Sequence, residues 1–223
     1  MELYDYTDAR IKRLNRQFLR LFQKVRLLNF DELNALNDIK AVYRKADRLA
    51  KAAYLDIAVE AYAFGLAEAE RAGFRPRRRR EIDRDWVLDF LEEEDFVTLY
   101  RYAPELTRKR DRLVEALATV GKPQNGSGKA QKVTNSPNRE IDKALKYLIM
   151  QTTHYADKAT AEAELQAMKD AGVKKVMWLT ERDNRVCDIC YPLDGKVFDI
   201  DKTPPIPQHY NCRCILIPVA KKV

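Results

Sequence analysis

All four cysteines of this chain lie between Cys187 and Cys214, in the order Cys187-x-x-Cys190 and then His209-x-x-Cys212-x-Cys214. A chain that gathers its cysteines and one of its two histidines into one short stretch is building a local site. Thiolates and a neutral imidazole are the donors that tetrahedral zinc prefers, and a two-residue gap lets one tight turn supply two of them. The spacing nominates Cys187, Cys190, His209 and Cys212 as ligands. Cys214 is an alternative, because residues two apart on an extended chain face the same way. Four protein ligands leave no open position for water, so the expected zinc is structural rather than catalytic. A disulfide and free thiols are the competing readings of the same cysteines.

Elsewhere the sequence describes a helical scaffold. Of 223 residues, 34% are charged and only 7 are glycine, which favours surface-rich helices over a β-sandwich. Apolar residues recur at helical spacing through Ile11, Leu14, Phe18, Leu21, Val25 and Leu28. Asn29 and Glu32 resemble a capping box opening a second helix. Its stripe passes through Leu36, Ile39, Tyr43, Ala46, Ala50, Ala53 and Ile57 and can run to Gly73. Small alanines along that seam predict two long helices in a close antiparallel hairpin. Trp86 to Leu91 marks a shorter helix, and another is expected from Pro104 to Gly121.

Residues 121–137, rich in Gly, Ser, Asn and Pro, read as a flexible linker or loop between a helical region (1–120) and a C-terminal module (138–223). Ser136-Pro137 is an N-cap with a first-turn proline. A long helix follows through Ile141, Leu145, Leu148, Thr152, Tyr155, Leu165 and Met168 to Gly172. Short strands are expected near residues 173–180, 196–198 and 214–217, with a turn at Asp194-Gly195. The fold class is therefore mainly α with a small C-terminal α+β module: helical hairpin, long central helix and a short, zinc-stapled β unit.

Several function classes find little support. No run of about 18 apolar residues spans a membrane. The start, Met1-Glu-Leu-Tyr-Asp-Tyr, lacks a signal-peptide core, so synthesis in a reducing cytoplasm is expected, where clustered cysteines more commonly bind metal than pair. Asp183, Asp188 and Asp194 beside the cysteines suggest a nuclease-like site. That chemistry needs a further histidine, and only His154, in the middle of the long helix, remains. A lone helix histidine is more commonly a packing or surface residue. The net charge of +7 favours polyanionic neighbours. The one dense basic run, Arg75, Arg77, Arg78, Arg79 and Arg80, reads equally well as a nucleic-acid-contacting patch or as a solvated loop neutralised by Glu81, Asp83 and Asp85.

The stretch from Ala171 through Trp178-Leu-Thr-Glu-Arg-Asp-Asn-Arg-Val-Cys187-Asp-Ile-Cys190, Leu193-Asp-Gly195 and Pro204-Pro205 to His209-Tyr-Asn-Cys-Arg-Cys214 resembles the phage Mu F-like family. These are minor head, or head morphogenesis, proteins of tailed phages and prophages. The resemblance covers roughly residues 140–218. It implies a non-enzymatic virion component, assembled in the host cytoplasm and held inside the capsid near the portal vertex. The implied partners are the portal protein, capsid or scaffold proteins, and phage DNA. His209 and Cys212 match the family's more persistent positions, whereas its first two cysteines are sometimes replaced. The chain ends shortly after Cys214, which argues against an appended toxin or enzyme domain. The alternative from another class is a zinc-ribbon DNA-binding or nuclease-like protein.

Overall fold

The computed structural model describes residues 3–26, 32–75, 82, 84–93, 108, 111–112, 137–181 and 186–220. Among the described residues, four helices have defined bounds: α1 (Leu3–Arg26), α2 (Glu32–Arg71), α3 (Arg84–Glu93) and α4 (Pro137–Asp170). Three strands follow: β1 (Lys175–Leu179), β2 (Val197–Asp199) and β3 (Ile215–Pro218). The fold is thus mainly helical with a small antiparallel sheet at the C-terminal end, as the periodicity predicts. The 121–137 linker, apart from Pro137, lies outside the described residues. So do the caps at Asn29 and Ser136 and most of the helix expected from Pro104.

Contacts divide the chain into two compact units that do not follow sequence order. One comprises residues 12–51 and 92–152, the other residues 1–11, 52–91 and 153–223. In the first, Leu14, Phe18 and Leu21 of α1 and Ile39, Tyr43, Ala46 and Ala50 of α2 are buried. The Phe22 and Tyr43 rings meet edge to face at 5.9 Å. Each large apolar side chain buried this way contributes on the order of 1.5–3 kcal/mol. Ile141, Leu145 and Leu148 of α4 are buried as their spacing requires.

The second unit carries the sheet. Arg10 of α1 pairs with Asp56 of α2 at 3.0 Å, and Tyr62 of α2 donates to Asp170 of α4 at 2.6 Å. The α2 seam departs from the expected stripe here: Tyr54 is fully buried and Ala53 only half-buried. Both α2 and α4 end in the same device. After α2, Gly73 donates to the Glu70 carbonyl and Phe74 to that of Ala69; after α4, Gly172 donates to Lys169 and Val173 to Met168. These are Schellman closures, and they require a left-handed residue, which Gly73 (φ 89°) and Gly172 (φ 85°) supply.

The strand order is β2-β1-β3, antiparallel throughout. Val176 and Trp178 point into the core with no exposure, while Lys175 and Met177 face outward. Trp178 lies opposite Leu216 of β3. That core is not the sheet's own. It is completed by Ala69 of α2 and by Leu165, Met168 and Ala171 from the end of α4. A sheet of three short strands cannot bury enough apolar surface to stand alone. Here the helices supply part of what it lacks.

Candidate metal centre

Cys187 and Cys190 sit on a tight turn between β1 and β2. The Cys187 carbonyl accepts from the Cys190 and Tyr191 amides at 3.1 and 2.9 Å, which folds the two sulfurs towards one side. The Cys187 sulfur also accepts the Cys190 amide at 3.4 Å. That backbone donor, more than any other contact, lowers the Cys187 pKa, so its thiolate is favoured. Leu193, Asp194 and Gly195 close the far side of the turn. Gly195 (φ 73°) donates to Trp178 at 2.8 Å, and the Asp194 carboxylate accepts the Thr180 amide at 2.9 Å.

His209 and Cys212 approach on a second turn, where the Cys212 amide donates to the His209 carbonyl at 3.2 Å. The His209 Nδ1–H donates to the Tyr210 carbonyl at 2.9 Å, leaving the Nε2 lone pair for the sulfurs. Nε2 lies 3.0 Å from the Cys187 sulfur and 3.3 Å from that of Cys190. The Cys190 and Cys212 sulfurs are 3.8 Å apart. Bonds of about 2.3 Å to sulfur and 2.0 Å to nitrogen at a tetrahedral zinc put sulfurs about 3.8 Å apart and sulfur and nitrogen about 3.5 Å apart. These three separations are close to that geometry, with His209 slightly too near the sulfurs, while Cys212 is grouped with Cys190 and Cys214 rather than with Cys187 and His209.

The five donors form two overlapping triples, Cys187–Cys190–His209 and Cys190–Cys212–Cys214, each within 4.8 Å and sharing Cys190. Burial, above any other cause, raises the pKa of Cys190 and of Cys214. Buried thiols side by side with no compensating charge favour the neutral form, and a bound dication would reverse that preference. Cys214 has one further neighbour. The Trp178 indole N–H is buried without a nitrogen or oxygen acceptor and acts on the Cys214 thiol, opposing the effect of burial. All four cysteines are unpaired.

Residues 113–217 match the model of a family described as Phage Mu protein F like protein. That segment is Mu F-like. The match starts well before the stretch in which the motifs are legible and contains all five donors. A Haemophilus influenzae protein described as uncharacterized is 36% identical over 55 residues, which is 23% of this chain and 12% of that protein's length. No solved structure matches the chain.

Other candidate residues of the Mu F-like segment find structural duties. Asp194 caps the end of β1, and Asp188 is exposed on the knuckle; Asp183 lies outside the described residues. His154 is half-buried and packs against Tyr210 with ring centroids 4.5 Å apart. Burial first, then Lys158 and His209, lower its pKa, so it is a neutral packing residue beside the second knuckle. Upstream, Arg75 is exposed just beyond α2, and Arg77 to Arg80 lie outside the described residues. No described helix is long and apolar enough to cross a membrane.

One group escaped the sequence reading. Asp157 and Glu164 of α4 line a cleft of about 60 Å³ with Thr7 and Asp8 of α1 and residues before and within β3. Burial, with Asp8 adding to it, raises the Asp157 pKa to about 7; burial, with Glu68 adding to it, raises that of Glu164 to about 8. The available signal was two carboxylates seven residues apart, on the helix face that also carries Ala161, Leu165 and Met168.

Proposed function

We propose that this protein is a minor head protein of a tailed phage or prophage, acting in head assembly by contact rather than turnover. The observation that carries this reading is the coincidence of the Mu F-like match with the two donor triples: the matched segment contains every residue needed for a zinc staple. Cys187, Cys190, His209 and Cys212 would hold the ion, with Cys214 as the alternative fourth ligand. Bound zinc would lock the two turns together and so fix the surface around β2 and the knuckles. The proposed partners are the portal protein, capsid or scaffold proteins, and packaged DNA met by the basic residues, Arg75 and Arg77 to Arg80 among them. The proposed location is the capsid interior near the portal vertex.

Co-expression with the portal and capsid proteins of the same phage genome tests the reading. The expected result is copurification with the portal protein and about one zinc per chain by plasma emission spectrometry. DNA binding is expected to be weak and steeply salt-dependent. Tight, sequence-preferring binding without any head-protein association would replace this reading with the zinc-ribbon alternative. Cleavage of DNA or RNA with added divalent ions, abolished by substitution of Asp188, would replace it with the nuclease one.

A further inference from the structure

The cleft beside α4 holds chemistry that a structural zinc does not use. Glu164 is 8% exposed and Thr7 4%, and the Thr7 hydroxyl oxygen is buried without a hydrogen-bond partner. Neither Asp157 nor Glu164 enters an ion pair among the described residues. Each instead lies within electrostatic reach of another carboxylate: exposed Asp8 of α1 beside Asp157, and Glu68 of α2, itself paired with Arg71, beside Glu164. Two inward carboxyls with no ion pair, and an unsatisfied hydroxyl lining the same cleft, call for a cation with hydrogens to donate.

A single inorganic ion does not meet the demand. Asp157 and Glu164 are seven residues apart, two turns and about 10 Å along the helix. The oxygens around one cation lie within about 5 Å of each other. Among the described residues, the donor groups close enough to share one ion are sulfur and imidazole, with no carboxylate. Between the two on α4 the lining includes Ala161 and Thr160, whose hydroxyl is already bonded to the Ala156 carbonyl, and Leu165 and Leu216 add apolar surface. The volume, about 60 Å³, equals that of about four to six ordered waters, or a short alkyl chain.

We propose that this cleft binds a linear alkyl diamine. One ammonium sits between Asp8 and Asp157 and the other at Glu164, with the methylenes along the apolar floor. The Thr7 hydroxyl, which also lines the cleft, is a neutral acceptor. Two-ended recognition of this kind distinguishes a diamine from a monoamine or a hydrated metal ion, because neither reaches both carboxyls at once.

Isothermal titration of the full, metal-loaded chain with putrescine and with hexamethylenediamine, at pH 8 and fixed ionic strength, tests this. The expected result is saturable one-to-one binding, weaker by about tenfold or more in D157N and in E164Q, since each removes a charge-assisted bond. Binding should weaken from pH 8 to pH 6 and release protons, seen as heats that change with buffer ionisation enthalpy. Both variants replace a carboxyl by an amide of the same shape, so the fold is expected to hold. Heats no larger than dilution would overturn the proposal. So would binding indifferent to both substitutions, or n-butylamine or magnesium matching the diamines at equal ionic strength.

Discussion

The two polar clusters of the C-terminal half share a wall, since Cys212 and Cys214 border both, yet they obey opposite rules. In the knuckle cluster, thiols and an imidazole gather into two triples, each within 4.8 Å and sharing Cys190, that could hold a metal ion. In the cleft, Asp157 and Glu164 stand two turns apart along α4, and burial raises their pKa values to about 7 and about 8. The first is a site made by local chain geometry. The second is made by tertiary packing, because the acids of α4 are covered by α1 and by the segment leading into β3. Cations belong in both, but of different shapes.

The largest expected effect separates them by metal removal. Chelation, or C190S, should release the ion and unfold the β unit, because Cys190 belongs to both triples. Much of the helix signal should remain, since α1, α2 and α4 close their own seams. Metal content by spectrometry and Trp178 fluorescence read the outcome. C212S should lose metal and C214S should retain it; the reverse order would make Cys214 the fourth ligand. Unchanged metal content in C190S would remove the staple altogether.

This contrast also explains what the chain alone made legible. Heptad-like spacing in α1 and the glycines at 73 and 172 are local signals, and each became the element it implied; the paired gaps at Cys187 and Cys212 brought the donors into two triples that could hold an ion. Tyr54 taking the seam position expected of Ala53 depends on what α2 packs against, which no local pattern carries. The same holds for the sheet's dependence on Ala69 and Leu165, and for Asp157 and Glu164. Acids on a helix ordinarily mark its wet face. Only the position of neighbouring helices turns them into buried groups.

The next effect is electrostatic. The folded-state pKa values of Asp157 and Glu164, about 7 and about 8, lie above their ordinary values of 3.8 and 4.5. The folded state therefore binds more protons than the unfolded state between about pH 4 and pH 8, and stability is lost as pH rises through that window. Asp8 and Glu68 face these groups, and Cys212 and Cys214 border the cleft, so the informative quantity is the difference between variant and parent. D157N/E164Q should gain roughly 2–4 kcal/mol over the parent at pH 9 and little at pH 4, measured by urea unfolding. A constant difference across pH would show the carboxyls to be ordinarily solvated.

A smaller effect probes what buries Glu164. Gly65 of α2 lies so close to α4 that an added Cβ would meet the Glu164 carbonyl oxygen at 2.7 Å and the Ala167 Cβ at 2.9 Å. Backbone cannot yield there cheaply, so the helices must part. G65A should cost about 1–2 kcal/mol, overpacking outweighing the helix propensity gained by alanine. Parting the helices admits water to Glu164, so its pKa should fall towards 4.5, read by carboxyl NMR titration. An unchanged pKa with lost stability would show that α2 is not what buries the acid.

The smallest effect is the sharpest on the cleft's purpose. The Thr7 hydroxyl is buried without a partner, so in the ligand-free chain it costs stability. Valine has nearly the same shape and no hydroxyl to desolvate. T7V should therefore stabilise the protein by about 1 kcal/mol while weakening diamine binding several-fold. A residue that weakens the fold yet strengthens ligand binding belongs to a site rather than to a core. If T7V stabilised the chain and left putrescine affinity untouched, Thr7 would be a packing defect, and the cleft's polarity would reduce to its two protonated carboxyls.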